Sequence, residues 1–145
     1  MKINTMSNNK FPTYALLTLR IALVLIFLYH GLPKAILWSL ATEKFIGFGL
    51  PGFLGPITGA AEVVASVLLL FGRFWRINNL ILMFIIAGAI ATVQLPKFLA
   101  DSSQVAGLER DILILVGHLT LLAFPPQRKV SALGKTTEYK SSEVV

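Results

Sequence analysis

Apolar residues dominate four stretches of the chain, and polar residues gather between them. The stretches cover residues 14–33, 57–72, 77–95 and 110–124. Runs this long and continuous read as helices that cross a bilayer, which takes ~20 apolar residues each. The second is the shortest, roughly 24 Å at the helical rise, and suits locally thinned or tilted surroundings. The first run is longer than the roughly 7–15 residues of a signal-peptide core, so it is kept as a span. Gly31 and Pro33 are expected to interrupt it near its far end, and Pro96 to end the third.

Between the first two runs lies AILWSLATEKFIGF, residues 35–48. Trp38, Ala41, Phe45 and Phe48 recur there at helical spacing, while Glu43 and Lys44 are charged. This predicts a short amphipathic helix at the membrane interface. GLPGFLGP, residues 49–56, is a turn-dense link. Residues 97–108 read as a polar loop. The expected fold is all-α: a polytopic membrane protein built as a four-transmembrane-helix bundle, with a short interfacial helix after the first span. It divides into an N-terminal segment 1–12, a transmembrane domain 13–125 and a loose polar tail 126–145.

Composition supports a bilayer as solvent. Of the 145 residues, 55% are hydrophobic and 14% charged, with mean hydropathy +0.74. A soluble domain carries about 25% charged residues, and a small chain has too little interior to hide this much apolar surface. The absence of cysteine removes disulfides and thiolate chemistry. The formal charge of +6 is read as basic residues flanking spans rather than as a nucleic-acid surface. Lys2, Lys10, Arg73, Arg76, Arg128, Lys129, Lys135 and Lys140 fall on one side of a four-span chain; Lys34, Lys44, Lys97 and Arg110 fall on the other. The richer side is expected to be cytoplasmic, so the chain is expected to be integral to the cytoplasmic (inner) membrane with both termini in the cytoplasm.

Polar residues within the spans are the candidates for chemistry. Arg20, Glu62 and His118 lie in apolar runs, where a charge costs about 2.5–3.5 kcal/mol at mid-span. Lys34 and Asp111 sit at outer ends, and Gln94 and Glu109 near them. At about 100° per residue, Arg20, Val24, Phe27, Gly31 and Lys34 share one face of the first helix. Gly59, Glu62 and Ser66 form a stripe on the second, and Asp111 and His118 share a face of the fourth. Ala87, Gly88, Ala91 and Thr92 give the third a small-residue surface. Glu62 and Lys34 match in depth and are expected to be neighbours, directly or through water. Arg20 has a plain alternative, snorkelling to the nearer interface; for Lys34 it is an interface anchor, and for His118 a core histidine bonded to backbone. Glu62 is too short to snorkel far. No spacing suits a metal site, and no dinucleotide or phosphate loop is present.

Several short motifs occur in a telling order. Arg20 precedes Gly31-Leu-Pro-Lys34, then Phe45-Ile-Gly-Phe-Gly49-Leu-Pro51, Gly59-Ala-Ala-Glu62 and Gly72-Arg73. Over roughly residues 14–124 this resembles the DoxX/DoxD family of small four-helix membrane proteins. By position, Arg20, Lys34 and Glu62 match that family's polar intramembrane residues, and Glu109 matches less closely. The chain departs from the pattern at Ala65-Ser66 and at Phe124-Pro-Pro-Gln-Arg128.

The resemblance implies a quinone-linked redox role, since the family includes a subunit of a thiosulfate:quinone oxidoreductase. Glu62 is then the proton-active group, with Arg20, Lys34, Glu62 and His118 toward the quinone and Gln94, Glu109 and Asp111 at the pocket mouth. With no flavin, haem or metal motif, the electrons have to come from a partner oxidoreductase. The lipid bilayer and a homo-oligomer complete the expected partners. Two other classes stand beside this reading: a non-catalytic membrane anchor or assembly subunit, and a small-molecule carrier.

Overall fold

The computed structural model describes residues 11–125, and among them every regular element is a helix. The tail 126–145 and nearly all of segment 1–12 lie outside the described residues. The helices are α1 (Phe11–Ile36), α2 (Trp38–Gly47), α3 (Leu54–Leu70), α4 (Trp75–Ala89), α5 (Leu95–Ala100) and α6 (Val105–Ala123). A π turn, Ile90–Gln94, joins α4 to α5 without a break. By length and composition, Pro12–Ile36 and the continuous rod Trp75–Ala100 can each cross a membrane, and α3 is a shorter apolar helix.

Three boundaries differ from the sequence expectation. Gly31 and Pro33 do not stop α1, which continues through Pro33 to Ile36. Proline there forfeits one backbone hydrogen bond, but Gly31 and Lys34 on either side pack against α3 and offset the loss. The chain bends at Leu37 instead, whose amide still donates to the Pro33 carbonyl at 2.8 Å. Pro96 likewise does not end the third helix. The wider π turn immediately before it absorbs the missing donor, and Pro96 occupies the first turn of α5, where no donor is required. The expected loop 97–108 shrinks accordingly to Asp101 and a 3₁₀ turn, Ser102–Gln104.

Glycines set how the elements meet. A Cβ on Gly59 would stand 2.5 Å from the Lys34 Cβ and 2.6 Å from the Ala35 amide nitrogen, so α1 and α3 touch almost backbone to backbone. A Cβ on Gly55 would meet the Ala41 carbonyl of α2 at 2.5 Å, which explains why Ala41 is the buried residue of that helix. Gly49 and Gly72 adopt left-handed φ values of 75° and 67° and close the ends of α2 and α3. Arg73 N–H then reaches the Leu68 carbonyl at 2.9 Å.

Helix α3 packs along α1 and α4, and α6 closes against α4 and α1. Their shared core contains Leu23, Val24 and Phe27 from α1, Ala65 and Leu69 from α3, Leu82 and Ile86 from α4, and Ile114 and Leu121 from α6. Large apolar side chains stand exposed on all six helices, among them Leu25, Trp38, Val64, Phe84, Leu99 and Leu113. The small-residue surface of Ala87, Gly88, Ala91 and Thr92 is exposed too; among the described residues nothing lies within 4 Å of a Cβ on Gly88.

Candidate functional site

The interior polar groups fall into two clusters. The first lies where the C-terminal part of α1 crosses α3. Lys34 Nζ donates to Glu62 Oε1 at 2.5 Å. Glu62 is 3% exposed, and its second oxygen, Oε2, is buried with no hydrogen-bond partner. The α1–α3 glycines make this contact: a Cβ on Gly31 would stand 2.9 Å from the Glu62 Cβ and 3.1 Å from Oε2. One turn along α3, Ser66 is fully buried with its hydroxyl oxygen also unpartnered. The stripe Gly59, Glu62 and Ser66 therefore faces inward as the helical spacing predicts.

His30 is half-buried at the same end, near the charges of Lys34, Arg110 and Asp111. Arg110 Nε donates to Asp111 Oδ1 at 2.8 Å, so buried Asp111 has its own cation. Glu109 is exposed. Gln94 packs its amide over Gly107, at a separation that leaves no room for a Cβ.

The second cluster occupies the other end. Arg20 is eleven positions before Gly31 on α1, about 16 Å along the axis. Its guanidinium lies 5.6 Å from the ring centre of Trp75, and its Nε is buried without a partner. Trp75 Nε1 donates to the Leu121 carbonyl at 3.2 Å. Asn79 Nδ2 donates to the Trp75 carbonyl at 2.8 Å, which turns the Asn79 Oδ1 toward His118 Nδ1 at 2.8 Å. Since Oδ1 can only accept, His118 carries its proton on Nδ1. Nε2 is then the lone-pair nitrogen, and it is buried without a partner. Phe27 meets the imidazole edge-on, with ring centres 5.3 Å apart.

The structure thus brings Lys34 and Glu62 into direct contact and sets Arg20 and His118 apart from them, toward the Trp75 end. Sequence reasoning missed Asn78 and Asn79, both buried. Two adjacent amides in an apolar run were the available signal, and Asn79 at four residues after Trp75 is in register to reach its carbonyl. Two apolar grooves run between α3 and α4, sharing Ala61 and Ile81. Neither borders Glu62, which faces α1.

The DoxX family pattern matches residues 15–95. The chain belongs to this family and is a DoxX-type membrane protein. It is 34% identical over 87 residues to a Bacillus subtilis (strain 168) protein named "Putative oxidoreductase CatD". That alignment covers 60% of this chain and 65% of the relative, so the chain spans just under two thirds of the relative's length. No solved structure gives a significant match. Arg20, Lys34, Glu62 and Gln94 lie inside the family match, while Glu109, Asp111 and His118 lie beyond it.

Proposed function

We propose that this chain is a quinone-linked redox subunit of the cytoplasmic membrane. In this reading α1, α3, the α4–α5 rod and α6 cross the bilayer as a four-span bundle, with α2 at the interface and both termini cytoplasmic. Segment 1–12 and tail 126–145 flank a transmembrane domain 13–125. A partner oxidoreductase subunit supplies the electrons. Family membership and the oxidoreductase named among its relatives support the redox class.

The observation that carries the reading is Glu62: buried, neutralised at Oε1 by Lys34, and unpartnered at Oε2. Buried polar atoms in folded proteins nearly always have a partner, so Oε2 is an open position for one. A quinone head supplies paired electron and proton chemistry when bound. The residues fit such a group in their polar atoms: Glu62 Oε2 and Ser66 Oγ are both free and one helical turn apart. Glu62 holds or releases a proton at Oε2, Lys34 compensates its charge, and Gly31, lacking a side chain, lets the carboxylate lie against α1. Arg20 and His118 extend the unpartnered polar interior toward the other end, and Asp111 and Glu109 mark its charged mouth.

The test is quinone binding by the purified protein in mild detergent, followed by tryptophan quenching. Trp38 is well placed to report, since its Nε1 donates to the Ala35 carbonyl beside Lys34 at 2.7 Å. Saturable quenching in the wild type and its loss in Glu62→Gln, with helicity unchanged, is the expected result. Identical quenching in both proteins sinks the assignment of Glu62.

A second reading, a membrane anchor or assembly subunit, draws on the exposed face of Ala87, Gly88, Ala91 and Thr92. It predicts a co-purifying helical partner whose retention is insensitive to Glu62→Gln and lost on Gly88→Leu.

A further inference from the structure

The turn between α3 and α4 combines three features that the redox reading does not use. Phe74 sits in the left-handed region at φ 50° and ψ 44°, a strained conformation for a bulky residue. The Arg73 guanidinium lies over its ring, 5.5 Å from the centre. Asn78 Nδ2 donates to the Arg73 carbonyl at 2.5 Å, which pins the turn. Arg73 and Arg76 are both exposed. Phe74 itself is exposed, and its ring lies between the Arg73 guanidinium and the α3–α4 seam that it borders.

Phe74 lines a groove of about 370 Å³, together with Ala61, Ala65, Leu68, Ile77 and Asn78. A second groove of about 740 Å³ continues from it past Thr58 and Met83. The two share Ala61 and Ile81 and so form one trough. From Phe74 to Ala87 the trough follows about 20 Å of helix, more than half of a ~30 Å hydrocarbon core. Ala61 and Ala65, with only methyl groups, leave the space between the two helices. One end is basic and the remainder apolar.

We propose that this trough binds an anionic phospholipid, with its phosphate on Arg73 and Arg76 and one acyl chain lying along Ala61, Ile77 and Ile81. Guanidinium groups suit phosphate through paired N–H donors. The apolar trough sets the direction of the chain, and the basic turn selects the headgroup. The site stands apart from Glu62 and does not depend on the redox reading.

The experiment is native mass spectrometry of the delipidated protein titrated with phosphatidylglycerol or phosphatidylcholine of identical chains. Charge attraction of about 1 kcal/mol per basic residue predicts a preference for the anionic lipid of about tenfold or more. Arg73→Gln with Arg76→Gln removes that preference, weakening phosphatidylglycerol far more than phosphatidylcholine, whose phosphate charge is already offset by choline. Ala61→Leu fills the trough and weakens retention of both lipids; Val64→Phe, at an exposed rim position, does the same without touching the core. Equal retention of the two lipids by the wild type overturns the proposal. So does a preference that survives loss of both arginines, or occupation of the trough by a neutral isoprenoid lipid whatever stands at positions 73 and 76.

Discussion

Gly31 lies against Glu62 so closely that its missing side chain defines where the carboxylate can go. A Cβ at 31 would come within 2.9 Å of one Glu62 carbon and 3.1 Å of Oε2. Both atoms belong to a buried ion pair, so neither can swing into solvent to make room. Gly31→Ala is expected to destabilise the protein by about 1–3 kcal/mol, the usual cost of overpacking. Thermal unfolding in detergent measures it. Stability equal to wild type would mean that α1 and α3 can part freely at this point.

The Lys34–Glu62 pair should show strong coupling. Removing one partner of a buried pair leaves a charge uncompensated, at a cost of about 3–5 kcal/mol. Lys34→Met and Glu62→Gln should each destabilise, and the double variant should recover much of the loss. The side chains are 27% exposed for Lys34 and 4% for Glu62, so Lys34→Met, which strands the more deeply buried charge, should be the more costly of the two. Additive effects in a double-mutant cycle would show that the two side chains do not act as a pair.

Asn79 should matter to two elements at once. It bonds the Trp75 carbonyl and His118, so Asn79→Leu leaves a buried imidazole nitrogen unsatisfied. A loss of about 1–3 kcal/mol is expected, with a shift in Trp75 emission. Nitrogen NMR of labelled histidine should find the His118 proton on Nδ1 in the wild type. A proton on Nε2 would reverse the donor and acceptor roles assigned to this contact.

Asp101 provides a pH-dependent cap outside the spans. Its Oδ2 accepts from the Ser103 hydroxyl at 2.8 Å and its Oδ1 from the Ser103 amide at 2.9 Å. These bonds hold its carboxyl below the usual aspartate value. Because the folded-state value is the lower one, the stabilisation is fully present above the ordinary aspartate range and is lost as pH falls through the folded value. Amide exchange at Ser103 and Gln104 should therefore quicken, relative to Asp101→Asn, only on acidification below that range. A profile parallel to the variant's would show that the cap carries no pH dependence.

The sequence made the Lys34–Glu62 contact legible because both helical faces and both depths could be computed from spacing alone. The inward stripe Gly59, Glu62 and Ser66 followed from the same arithmetic. The continuity of α1 and of the α4–α5 rod did not. Whether Pro33 or Pro96 breaks a helix depends on packing against α3 and on the π turn, neither of which has a local sequence signature. Trp75 reads as an interfacial aromatic, and only the fold reveals that Arg20 stacks upon it. Asn79 was hidden for a related reason: its partner His118 is thirty-nine positions away. The tail and the N-terminal segment fall outside the described residues.

The π turn at Ile90–Gln94 also acts as a phase shifter. It admits one more residue than an α-turn would, so everything after it is rotated by about 100° relative to an uninterrupted helix. Lys97 owes its heading to that rotation: its ammonium lies 5.6 Å from the ring centre of Phe48, just past the end of α2. A single-residue deletion between 90 and 94 would leave the helix its hydrophobicity but point Lys97 elsewhere, uncoupling the end of the α4–α5 rod from the end of α2. In this part of the chain, the number of residues matters more than their kind.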